Sequence, residues 1–143
     1  MDPKDFLLTA HDLIASHRRE ADLRSAVSRS YYAVYLLIAR AVKSDIPLAL
    51  RQQCSLGDKR RVPHDRLVGV LKDCAHDKLE GIGTLLSNLK AGREESDYYP
   101  DKVVDLKRAE KHLAMARRVC ERIESIGLTT LTAVLRTYSG DSA

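Results

Sequence analysis

Apolar positions in this chain recur at steps of three and four, and no window shows the alternation of a strand. The clearest run is Arg24 to Lys43, RSAVSRSYYAVYLLIARAVK, which contains neither Gly nor Pro. Leu23, Ala26, Val27, Tyr31, Val34, Ile38, Ala41 and Val42 fall on one face of a helix, and Leu36 and Leu37 widen that face. A stripe this wide predicts a central helix, covered on more than one side. Tyr31, Tyr32 and Tyr35 cluster in its middle, where rings bury area and hydroxyls seek polar partners. They suit the edge of a core, a subunit interface or the lining of a cleft.

The flanking segments follow the same period. Residues 2–17 predict a first amphipathic helix, opened by Asp2 and Pro3 and carrying Phe6, Leu7, Ala10, Leu13 and Ile14 inward. The charges at 18–22 mark a turn, and the central helix runs from about Glu20 to Lys43. Residues 45–65 break the pattern with Pro47, Gly57 and Pro63 and predict a long loop. Five Lys or Arg against two Asp between Arg51 and Arg66 make it basic. It reads as a solvated connection or as a functional loop.

Residues 66–76 predict a short helix with Leu67, Val70, Leu71 and Cys74 on one face. Residues 78–95 predict another, with Leu79, Ile82, Leu85, Leu86 and Leu89 inward. Gly81 and Gly83 weaken its start or permit close packing. A long helix over 102–126, capped by Asp101 and ended by Gly127, carries Ala109, Leu113, Ala116, Cys120 and Ile123 inward, with Val104 in the same stripe. Residues 128–138 predict a last short helix and 139–143 a frayed tail. Four or five helices around an aliphatic core predict an all-α, up-and-down bundle forming one domain over 1–143.

Composition agrees with a globular chain. The 143 residues are 44% hydrophobic and 31% charged, with one Phe and no Trp, so the core must be aliphatic. No apolar run approaches the roughly 20 residues that span a bilayer, and the first 20 residues do not read as a signal peptide. The expected location is cytoplasmic, with no membrane role. Cys54, Cys74 and Cys120 are too few and too scattered for a disulfide framework. The net charge of +4 permits a nucleic acid or an acidic partner without requiring either.

Familiar chemical devices are absent: no glycine-rich phosphate loop, nucleophile elbow, HExxH or CxxC. Cys54, His64, Cys74 and His76 match no standard zinc spacing, so neither metal nor cofactor is expected. The remaining signal is Arg93-Glu94-Glu95-Ser96-Asp97-Tyr98-Tyr99-Pro100, expected between two helices. Arg93 and Asp97 can pair at i, i+4 if the helix reaches that far. Tyr98 and Tyr99 beside an arginine can stack a base or seal a helix junction.

Together, SRSYYAVYLLIARAV, PHDRLVGVLKD and LLSNLKAGREESDYYPD, in that order before a long helix, resemble the HEPN family of helical bundles. The likeness is to small prokaryotic members with an SRxYYA-like central helix and a later RxxxDY element, and it covers about residues 5–126. Ser28, Arg29, Tyr31 and Tyr32 match the first motif, and Arg93, Asp97 and Tyr98 the second. His64 matches a histidine before the third helix. The resemblance implies homodimers, a toxin–antitoxin, defence or RNA-processing setting, and pairing with a nucleotidyltransferase-type protein.

HEPN ribonucleases have an Arg followed, after four to six intervening residues, by a His, and no Arg here has that spacing. Arg60–His64 and Arg108–His112 have only three residues between. The resemblance therefore implies a non-catalytic binding or regulatory module. The alternatives are a ribonuclease with a rearranged site built on Arg93, Asp97, Tyr98 and His64, and a plain structural helical protein. The candidate ligand site is Arg93, Asp97 and Tyr98 in a shared cleft near Arg29, with His64 as a further member and RNA or a nucleotide as ligand. In that picture Asp97 orients Arg93.

Overall fold

A computed structural model describes residues 2–17, 19–45 and 77–127. Helix α1 covers Asp5–Asp12 and continues into a π-helical turn at Leu13–His17. Helix α2 covers Glu20–Asp45, α3 Asp77–Tyr98 and α4 Leu106–Ile126. No strand occurs among the described residues, and the chain is an all-α helical bundle. The expected 45–65 loop, 66–76 helix, 128–138 helix and 139–143 tail lie outside the described residues. So do the four cysteine and histidine residues weighed as zinc ligands.

The central position of α2 follows from its stripe. It makes the most extensive contacts with each of the other three helices. Ala26, Val27, Tyr31, Val34 and Ile38 are fully buried, as the spacing predicts, and Ala33 joins them. Each buried Val or Ile side chain contributes roughly 1.5–3 kcal/mol. Ile82, Leu86 and Leu89 from α3 and Ala109, Ala116 and Val119 from α4 complete the core. Val119 was not in the expected stripe of α4.

The helix ends explain where the boundaries differ from expectation. At the start of α2, the Asp22 carboxylate accepts from the Arg19 backbone N–H at 3.2 Å and from Arg19 Nε at 3.0 Å, the backward half of a capping box. Helix α3 runs three residues past the expected end at 95. Pro100 disfavours helical backbone at Tyr99, so the helix reaches Tyr98 before it stops. Most of the Arg93–Pro100 segment is therefore helix rather than connection.

Helix α4 starts four residues later than expected, and its N-cap is Asp105 rather than Asp101. The Asp105 backbone is extended, and its carboxylate accepts from the Arg108 N–H at 2.8 Å. The reason is Val104, which is 1% exposed: burying it draws the chain inward before the helix can begin. Gly127 ends α4 with φ +85°, as expected of a glycine stop, and its N–H bonds the Ile123 carbonyl at 2.8 Å.

Candidate functional site

Helices α2 and α3 run antiparallel. As α2 proceeds from Arg24 to Tyr31, its partners on α3 run back from Ser96 to Arg93. The buried stripe of α3 begins with Ile82, Leu86 and Leu89 and continues at the same helical steps with Arg93 and Ser96. Polar side chains thus occupy the last turns of an otherwise aliphatic stripe.

Arg93 is 8% exposed. Its guanidinium carbon lies 5.4 Å from the centroid of the Tyr31 ring, 5.7 Å from Tyr32 and 5.8 Å from Tyr98. These contacts are cation–π interactions, each worth roughly 0.5–2 kcal/mol. Tyr31 and Tyr32 are themselves packed edge to face at 5.4 Å, and Tyr31 stacks on Tyr35 at 5.9 Å. Two plates of this cage are held in the bundle, whereas Tyr98 is a 68% exposed ring at the last residue of α3.

The carboxylates around Arg93 are committed elsewhere. Glu94 pairs with Lys90 at 2.6 Å, Glu95 pairs with Arg108, and Asp97 accepts from the Ser28 hydroxyl at 3.2 Å. Among the described residues Arg93 has no ion-pair partner, and its buried Nε has no hydrogen-bond acceptor. The helix does reach Asp97, yet the expected i, i+4 pair does not form, and Asp97 does not orient Arg93. Ser96, 5% exposed, has an equally unpartnered Oγ.

Arg29 does not share this cage. One residue beyond Ser28 is a rotation of about 100° around α2. Arg29 accordingly places its guanidinium over Phe6 of α1, 5.4 Å from the centroid. His64 lies outside the described residues.

Sequence reasoning missed Arg24. Its Nη1 donates to the carbonyls of Glu95 at 3.3 Å, Ser96 at 2.9 Å and Tyr99 at 3.2 Å. Its Nη2 donates to Glu20 and Pro100, both at 3.1 Å, and to the Lys102 carbonyl. The last carbonyls of a helix lack intrahelical donors, and Arg24 supplies them from a neighbouring helix. It thereby fixes the end of α3 that carries Tyr98. Its only sequence signal is its place on the same face as Ser28 and Tyr31.

His112 and Gly92 were also missed. A Cβ on Gly92 would lie 2.2 Å from His112 Nε2, so α4 approaches α3 through the absent side chain. His112 Nδ1 lies 2.9 Å from the Arg108 carbonyl and donates to it. Burial holds the imidazole below its ordinary pKa and keeps it neutral. Arg108, hydrogen-bonded to Glu95, holds that carboxyl below the usual carboxylate range. The thiol of Cys120 is pushed up to about 11 by burial, which makes it inert at neutral pH.

No cluster of three or more His, Cys, Asp or Glu among the described residues is arranged to hold a metal ion. No helix among them is long and apolar enough to cross a membrane. The chain matches no protein-family model, no curated protein and no solved structure.

Proposed function

We propose that this chain is a non-catalytic, HEPN-like binding and regulatory module whose ligand is anionic and engages Arg93. The observation that carries this reading is a buried guanidinium with no ion pair and an unpartnered Nε among the described residues. A buried charge without a counterion is costly, and three ring contacts offset only part of that cost. An incoming phosphate or carboxylate removes the deficit with charge-assisted hydrogen bonds. The motif order that resembles HEPN proteins supports RNA or a nucleotide as the source of the anion. It also supports a homodimer acting with a nucleotidyltransferase-type partner in a toxin–antitoxin or defence setting.

Binding is favoured over ribonuclease chemistry because no Arg has the usual spacing to a His and because His112, the histidine on α4 beside this end of α3, is committed to packing, while His64 of the alternative site lies outside the described residues. Its Nδ1 is bonded to the Arg108 carbonyl and its Nε2 faces Gly92, so both ring nitrogens serve the α3–α4 contact.

The test is a titration of labelled single-stranded RNA and of ATP into wild type and Arg93→Ala, at low and moderate salt. Wild type binds one of them, and Arg93→Ala stays folded and does not. If wild type binds neither and Arg93→Ala lowers the melting temperature, the cage is structural and the reading fails. Sedimentation of the wild type at micromolar concentration checks the dimer, which a lone 16.0 kDa species would reject.

A further inference from the structure

We infer that Arg93 Nε and Ser96 Oγ form a site for a single phosphate monoester, and that Tyr98 is the plate that moves to uncover it. The inference rests on the reading of Arg93 as an anion site and narrows its ligand.

Three observations carry it. First, both atoms are buried and lack any hydrogen-bond partner among the described residues, on residues 8% and 5% exposed. They lie three residues apart on one face of α3, in the stripe that Ile82, Leu86 and Leu89 fill with aliphatic side chains. Leucine at both positions would extend the core without unsatisfied donors. An N–H and an O–H set one turn apart suit an acceptor with several oxygens around one centre, as in a phosphate monoester.

Second, Tyr98 differs from the other two plates. Tyr31 is fully buried and Tyr32 half-buried, while Tyr98 is 68% exposed and its ring centroid lies 5.8 Å from the guanidinium carbon. A change of rotamer at Tyr98 removes it without disturbing α3, because Arg24 holds the backbone on either side of it through the Ser96 and Tyr99 carbonyls. The place it vacates accepts another flat ring, so a nucleobase can take over the stacking.

Third, the surroundings disfavour a strand. Residues 93–105 contain five acidic side chains against two basic ones. A strand laid across this surface would bring successive phosphodiesters past Asp97, Asp101 and Asp105, all exposed. One terminal phosphate inserted under Tyr98 meets the guanidinium first. The same chemistry is offered by a free nucleotide and by the 5′-phosphate end of an RNA.

The test is isothermal titration of the full chain with AMP, inorganic phosphate, and a short RNA bearing either a 5′-phosphate or a 5′-hydroxyl. AMP or the 5′-phosphorylated RNA binds, and the stronger of the two identifies the source. The 5′-hydroxyl RNA binds at least about tenfold more weakly. Ser96→Ala weakens monoester binding about fivefold at an unchanged melting temperature. Tyr98→Ala tightens binding of inorganic phosphate, because no ring must be displaced.

Equal binding of the two RNAs, lost in Arg93→Ala, overturns the monoester site and leaves the broader anion reading standing. Monoester binding untouched by both Ser96→Ala and Tyr98→Ala overturns the two-donor gated site. Failure of every probe to bind overturns both readings.

Discussion

The antiparallel seam between α2 and α3 has two unlike halves. One is aliphatic: Val34 and Ile38 of α2 and Ile82, Leu86 and Leu89 of α3 are fully buried. The other, from Arg24 to Tyr32 on α2 and Arg93 to Tyr98 on α3, is a polar and aromatic junction. There one arginine donates to several carbonyls of the neighbouring helix end, and another is caged by rings with no counterion among the described residues. The first half supplies stability without direction. The second holds chosen groups at chosen places, with two buried donors left unsatisfied. Such a contrast within one seam marks where a bundle has given up packing for something else.

Breaking the aliphatic half has the largest effect. Val34→Asp introduces an unpaired charge into a fully buried site and costs about 4 kcal/mol or more. Urea denaturation monitored by circular dichroism measures the loss, and an unchanged midpoint would contradict the burial of α2.

Gly92→Ala probes the boundary between the halves. Its Cβ would meet the His112 ring, which is pinned by the Arg108 carbonyl, and overpacking of this kind costs about 2–3 kcal/mol. Adding His112→Ala recovers most of that loss in a double-mutant cycle. Additive losses would show that the two residues do not touch.

In the polar half, Arg24→Ala removes a charged donor from the end of α3 and costs about 1–2 kcal/mol. Hydrogen exchange reports where: amides of 98–104 lose protection while those around Leu86 do not. Uniform loss across α3 would make Arg24 a general support rather than a local clamp. Arg93→Met gives a smaller change with the opposite sign. Removing a buried, unpaired charge shifts stability by less than about 1 kcal/mol, toward the folded state. A large destabilisation would identify the cage as a structural element.

The smallest effect is the pH dependence from His112. Its folded pKa lies below the unfolded value of 6.5, because burial disfavours the imidazolium. In the window between those two values the unfolded chain binds more protons. The contribution is therefore complete above pH 6.5 and is lost as the pH falls through the folded value. His112→Gln flattens wild-type stability just below pH 6.5. An equal slope in both proteins would place the titration elsewhere.

The sequence by itself determined the helices that a long periodic stripe specifies. The centrality of α2, the burial of Val27, Tyr31, Val34 and Ile38, and the glycine stop at 127 follow from local spacing and backbone preference. It also singled out Arg93 and Tyr98 as the first place to look.

Tertiary structure decided everything that depends on which of several equal partners a polar group takes. Arg93 and Asp97 have ideal helical spacing, yet Asp97 takes Ser28 and Arg93 turns among tyrosines, because another helix offers competing surfaces at the same distance. Asp101 was the expected cap of α4, and the burial of Val104 moves that role to Asp105. Arg24 and Arg29 are five residues apart on α2, but about 140° of rotation separates them, so one meets the carbonyls of α3 and the other a ring of α1. Hydrophobic periodicity is a property of one helix. The choice among polar partners requires knowing where the neighbouring helices lie.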